Sequence, residues 1–290
     1  MKLKYSFFLL IILFGTSVMS TAQLPGNTDY NIWNTNPNDT FYIFSRMANV
    51  RAQPGLSTPI QDSLLCGTMI IIKANEKQLD IVKGINAPWV KVEYTINSIK
   101  KEGYVWVGLL ALGRYQRPEI AFLYGIENIV ATAETDDYYI PLTWHLKVKA
   151  LSPSSELISE SEWKMDGPEV AATGGKLLGD MGLKNTTDIV RIYFGGEACG
   201  VPTNYFYFGW TGDKLLPLPG KMEVGDAGVY YHEETFLFPS EQGGQPDKII
   251  KLTTESEAEE KTDKNGEPIF KTTKSKEVFI WDGKKAVKRK

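Results

Sequence analysis

The stretch NVRAQPG, Asn49 to Gly55, decides how the first third of the chain is read. An apolar residue between two polar ones, followed closely by Pro54 and Gly55, describes a strand that stops. Proline brings no N–H to a sheet ladder, and glycine accepts positive φ, so the pair ends the strand and opens a loop. Val50 then points inward, and Arg51 lies at the rim with its stem on apolar surface and its head in water. Working outward, strand-like segments recur as TFYIFS from Thr40, MIIIKA from Met69, WVKVEY from Trp89 and GYVWVGLLAL from Gly103. In WVKVEY, Val90, Val92 and Tyr94 share one face while Trp89, Lys91 and Glu93 share the other, the period of two of a half-buried strand. Val105 and Val107 likewise fall opposite Tyr104 and Trp106. Five short strands within about seventy residues predict a small barrel over residues 40–113.

The order of these signals carries a resemblance. Asn49-Val50-Arg51, Gly67 ahead of an apolar strand, Trp89 with Val92 three residues on, and Gly103-Tyr104-Val105 together resemble the bacterial SH3-like (SH3b) domain. The resemblance covers about a quarter of the chain and departs at AQPGLSTPI, where the family has a small polar run. It implies a barrel that contacts peptidoglycan peptide or a protein partner at the cell envelope.

The N-terminus has its own logic. Lys2 and Lys4 precede FFLLIILFG, an apolar run too short to cross a bilayer as a helix, and Ser20 and Ala22 sit three and one places before a cut ahead of Gln23. Residues 1–22 therefore read as a signal peptide, in preference to an uncleaved anchor, and residues 23–39 as a polar lead-in. No later run is apolar enough to span a membrane, so the mature chain is expected in the periplasm or outside the cell. Losing the leader removes two lysines and no acid, taking the formal charge from −3 to −5. That balance excludes nucleic acid as a partner, since phosphates demand a basic stripe. The basic end, Asp282 to Lys290, reads as a solvated terminus. The two cysteines, Cys66 and Cys199, are read as buried free thiols rather than as a bridge between separate domains.

Beyond Arg114 the chain reads as a larger antiparallel β-domain, residues 114–290, built as a sandwich or as propeller-like sheets. GRYQRPE is its connector. YYIPLTWHLKVKAL alternates, with Ile140, Leu142, Trp144, Leu146 and Val148 facing one way and Thr143, His145, Lys147 and Lys149 the other; Pro141 suggests an edge strand. Further strands are expected in DIVRIYFGGEACG, NYFYFGWTGDKLLPL, AGVYYHEETFLF, DKIIKLTTE and EVFIWDGKKAVK. Two segments recur as hairpins around Trp210 and Trp281. The second suits a type I′ turn at Asp282-Gly283, and the acidic ESEAEEKTDKNGEP reads as a long hairpin loop.

Because the resemblance is to modules that wall hydrolases often carry, the candidate nucleophile is Cys199 of GGEACGVP, with His145 or His232 as base. Cys199 follows a strand and runs into Val201-Pro202, with no helix start to activate a thiolate. YYHEETF lacks the second histidine of a zinc helix, and DKNGE is a polar turn rather than a calcium loop. No phosphate-binding glycine loop and no cofactor or metal site is expected. The remaining candidates are aromatics that face away from the inferred core, Trp106 and Tyr104 with Trp89, as a ligand-binding platform for a peptide stem or sugar face, with packing on the second domain as the plainer alternative for Trp106. The run Tyr205 to Trp210 reads as core plus a covered face. The expectation is an exported, mainly β, non-enzymatic binding or scaffolding protein; the alternative is a wall hydrolase whose active site is cryptic in the second domain.

Overall fold

The structure, a computed structural model, describes residues 32–131, 142–166, 170–196 and 198–289. Residues 1–31, which hold the expected signal peptide and most of the expected lead-in, and Ile140 and Pro141 lie outside the described residues. What is described is almost entirely antiparallel β-structure, without an α-helix and with a single 3-10 turn at Val107–Leu109.

The first sheet contains β1 (Thr40–Tyr42), β2 (Met47–Arg51), β3 (Ile60–Leu65), β4 (Met69–Val82), β5 (Ile85–Ile96) and β6 (Ile99–Trp106), in the order β1-β4-β5-β6-β2-β3. It curls into a half-barrel. Val50, Ile70, Ile72, Val90, Val92 and Val105 are buried within it. β2 ends at Arg51, and Gly55 has a φ of +119°. The loop that follows is closed by the Ala52 N–H bonding to the Pro59 carbonyl at 3.0 Å, and by the Arg51 guanidinium donating to the Thr58 carbonyl. Two turns are two-residue hairpins, Lys83-Gly84 and Asn97-Ser98. Both residues of each have positive φ, the twist that matches flanking strands.

The second sheet, in the order β10-β9-β8-β7, comprises β7 (Gly113–Arg117), β8 (Ile120–Ala131), β9 (Leu142–Leu151) and β10 (Leu157–Asp166). It is covered on both sides. Ala121, Leu123 and Leu151 pack with Phe44 and Ala111 of the half-barrel side, while Phe122, Tyr124, Ile126, Trp144 and Leu146 join the core shared with the third sheet.

The third sheet runs in strict chain order: β11 (Ala172–Leu177), β12 (Asp188–Gly195), β13 (Thr203–Trp210), β14 (Leu215–Asp226), β15 (Tyr230–Leu237), β16 (Lys248–Thr262), β17 (Pro268–Trp281) and β18 (Ala286–Lys288). Neighbouring residues of β12 face opposite cores. Val190, Ile192 and Phe194 meet the second sheet, whereas Ile189 packs with Tyr207, Leu218, Phe236, Ile249 and Trp281. Strands β15–β18 therefore roll back over β12–β14. The roll is pinned where the Trp281 indole donates to the Lys184 carbonyl and the Asn185 amide to the Gly283 carbonyl, both at 2.8 Å.

Several expectations are corrected by this arrangement. GRYQRPE is largely strand β7, and β8 carries no alternation because residues 120–126 are buried on both faces. β9 is an inner strand, not an edge, and Lys149 on its supposedly exposed face is only 2% exposed. Its ammonium donates to the Phe44 carbonyl at 2.8 Å and lies over the Phe44 ring, and burial lowers its pKa. Trp33, in what reads as a bare lead-in, is buried with its indole bonded to the Leu110 carbonyl at 3.0 Å. Most of the acidic insert extends β16 to Thr262, leaving only residues 263–267 as the turn. Asp282-Gly283 opens a four-residue loop between Trp281 and Ala286. Only its glycine has positive φ, so the turn is not type I′. The hairpin after Trp210 has the same four-residue span, from Trp210 to Leu215, as the recurrence in sequence expects. One continuous meander replaces separate blades, so the sandwich is realised and the propeller is not. Both cysteines are free; Cys66 is half-buried, but Cys199 is exposed rather than buried.

Candidate binding site at the seam between the first two sheets

The proposed aromatic platform is absent as an open surface. Trp106 is 3% exposed and Trp89 is 1% exposed, so the expectation that they face solvent is corrected. They are cross-strand partners, and the far end of the β4–β5 hairpin covers them. The Trp89 indole donates to the Asp80 carboxylate at 2.6 Å, and the Trp106 indole to the Ala87 and Asp80 carbonyls at 2.9 and 3.2 Å. Tyr104, opposite Arg51 and Lys91, remains half-buried. The structure thus brings the two indoles together beneath one carboxylate-bearing arm. The cause is invisible to a local reading, because bulges between Ile72 and Ala74 and between Asn75 and Leu79 reshape that arm.

The same arm docks on the second sheet. Ile129 donates its N–H to the Lys83 carbonyl at 2.9 Å, Lys83 pairs with Glu127 at 2.8 Å, and a Cβ on Gly84 would collide with the Ile129 carbonyl oxygen. Beside it, only about 20 Å³ is left open between Trp33, Ile85, Ile126 and Trp144. The seam is therefore a packed joint on this side.

On the other side lie two hollows, one at this seam and one between the second and third sheets, that share Arg117 and Ile120 as a common wall. The first, of about 240 Å³, lies between Gly67 of the β3–β4 turn, the strand β7 with Arg114 and Gln116, and the turn carrying Ser152 and Ser155. The second, of about 470 Å³, lies against Asp188, Thr187 and Trp210 of the third sheet. Arg117 bonds through Nε to the Asp188 carboxylate at 2.6 Å. Asp188 is itself buried and also accepts the Gly179 and Ile189 N–H groups at 2.8 and 2.9 Å, so its charge is fully satisfied. Arg114 stacks over the Tyr42 ring at 4.5 Å and donates to the Gln116 side-chain oxygen, and it faces no carboxylate among the described residues. Sequence reasoning passed over both arginines by treating GRYQRPE as a connector. The signal available was two arginines beside a proline turn between apolar runs.

The other candidates do not converge. Cys199 lies on an exposed turn and His145 is half-buried on β9, whereas His232 on β15 bonds through Nδ1 to Glu255 at 2.9 Å. Among the described residues, no group of three or more His, Cys, Asp or Glu could hold a metal ion. Within the run Tyr205 to Trp210, Tyr207, Phe208 and Trp210 are buried, and Phe206 packs on Trp163, so the run is core with a covered face. No helix among the described residues is long and apolar enough to cross a membrane. Comparison of the chain with family models, with curated proteins and with solved structures gives no match.

Proposed function

We infer that the chain is an exported binding or scaffolding protein of the cell envelope, acting without catalysis in the periplasm or outside the cell, and holding peptidoglycan peptide or an envelope protein. The observation that carries this reading is a pair of open hollows that share Arg117 and Ile120 and are lined by guanidinium, hydroxyl, carboxylate and indole groups, with buried residues of two core clusters in their walls, the arrangement of a preformed recognition site. Export is supported by Lys2 and Lys4 ahead of FFLLIILFG and by the small residues Ser20 and Ala22. The envelope as destination is supported by the SH3b-like order of Asn49-Val50-Arg51, Gly67, Trp89 and Gly103-Tyr104-Val105. Because Trp89 and Trp106 are sealed, contacts are expected along the seam rather than on those rings.

The test is retention of the purified mature chain on murein sacculi, followed by analysis of soluble products. Retention without fragments is expected. Released muropeptides would overturn the reading in favour of a hydrolase, and absence of retention would remove peptidoglycan as the ligand.

A further inference from the structure

We propose that the smaller hollow of the groove is a monocarboxylate site, with Arg114 as the group that grips the anion and an aliphatic stem lying on the apolar wall. The hollow has one charge to offer. Of its two guanidinium groups, Arg117 is neutralised by Asp188 at 2.6 Å, while Arg114 meets, among the described residues, a neutral side-chain oxygen and an aromatic face. No carboxylate belongs to its lining among the described residues. A half-buried guanidinium placed over a ring and bonded to a neighbouring side chain loses less freedom on binding than a free one, which suits a two-pronged bond to a carboxylate. A single net positive charge matches a monoanion and leaves a dianionic phosphate under-compensated.

The rest of the lining agrees. The Ser152 hydroxyl already serves the turn, bonding to the Ser154 hydroxyl at 2.8 Å and accepting the Glu156 N–H at 3.1 Å, so the turn is rigid where the ligand meets it. Within a mostly polar lining, the exposed prolines Pro118 and Pro153 supply the apolar wall, Ile120 and Leu151 being themselves buried. A space of about 240 Å³ has room for a carboxylate with a short aliphatic body. The opposite rim is set by Gly67, where a Cβ would stand 2.8 Å from the Leu151 side chain and 3.1 Å from Ser155, so the bare backbone keeps the mouth from closing. The ligand class is therefore an aliphatic carboxylate, either the free C-terminus of a short peptide or a small organic acid. This assignment rests on the reading of the chain as a binding protein and names what one end of its groove holds.

The experiment is two-dimensional amide NMR of the full mature chain titrated with acetyl-Ala-Ala as the free acid, its C-terminal amide, butyrate and inorganic phosphate. Expected are saturable shifts at Gly67, Gln116, Ser152 and Ser155 with the free acid, in the millimolar range, and none with the amide. A stronger response to the dipeptide acid than to butyrate identifies a peptide terminus, and an equal response identifies a small organic acid; both support a carboxylate site. Arg114→Gln should weaken the response about tenfold or more. Gln116→Glu, which leaves Arg114 in place but supplies it with an internal carboxylate, should do the same in a chain whose other amide positions are unchanged. Equal shifts with the amide, tighter binding of phosphate, or undiminished binding in folded Gln116→Glu would overturn the proposal. Sacculus retention that survives Gln116→Glu while the carboxylate shifts vanish leaves the binding reading standing and detaches it from this hollow.

Discussion

Replacing Gly84 by alanine tests whether the first two sheets are locked together or merely adjacent. Gly84 has a φ of +75°, and an added Cβ would meet the Ile129 carbonyl oxygen, a backbone atom that cannot swing aside as a side chain could. The left-handed conformation alone costs a non-glycine residue about 1–2 kcal/mol. Relieving the clash pulls the turn off β8 and gives up the Ile129 N–H to Lys83 carbonyl bond, worth about 0.5–1.5 kcal/mol net. The Lys83–Glu127 pair adds little, its side chains being 59% and 32% exposed, so we discount it to well under about 1 kcal/mol. The expected loss is about 2–4 kcal/mol, a large share of the ~5–15 kcal/mol of an ordinary domain. Gly228→Ala is the matched control, since its φ is +80° but none of the described residues lies within 4 Å of the added Cβ, so it should show the backbone term alone. Urea unfolding followed by tryptophan fluorescence reads both variants. A Gly84→Ala loss no greater than that of Gly228→Ala would show that the turn does not dock on β8 and would refute the locked seam.

Other outcomes follow from particular side chains. Trp106→Ala should destabilise by about 3–5 kcal/mol, as for a large buried aromatic, yet leave sacculus retention of the folded fraction unchanged; lost retention at full stability would return this residue to the binding surface. The Tyr94 hydroxyl at 2.6 Å and Lys101 hold the Asp62 carboxyl below its ordinary pKa, so its contribution is fully present above the unfolded value near 3.9 and is lost as pH falls through the lower folded value. Acid unfolding curves should therefore show a shallower drop below about pH 4 for Asp62→Asn than for the parent, and parallel curves would contradict that bond. Cys199 should react with a thiol reagent rapidly in the native state. Cys66, whose thiol is raised by burial and bonds to the Phe44 carbonyl at 3.3 Å, should react only slowly until the protein unfolds. Comparable rates at the two positions would argue against the packing of Phe44.

How much of this was legible in the residues depends on whether the burial of a strand is one-sided. In β5 the alternation of Val90, Val92 and Tyr94 against Lys91 and Glu93 was read correctly, because there a core lies on one side and charges on the other. The same rule misjudged Trp89, since the covering arm comes from residues 79–87 and is reshaped by bulges whose positions no local pattern discloses. β8 went unseen for the opposite reason: a strand covered on both faces has no period of two to detect. The candidate site was missed because Arg114 and Arg117 matter only when Gly67, Ser152 and Asp188, each remote in sequence, are brought around them.

By itself the sequence determined that the chain folds as antiparallel strands and where several of them begin and end, since alternation, β-branched residues, glycine and proline act within a few residues of themselves. The tertiary structure decided which faces are covered, that the second sheet is enclosed by its neighbours, and that Arg117 but not Arg114 meets a carboxylate among the described residues. Those outcomes depend on what other parts of the chain lay against a given strand, and burial and charge balance are properties of that assembled neighbourhood rather than of any short segment.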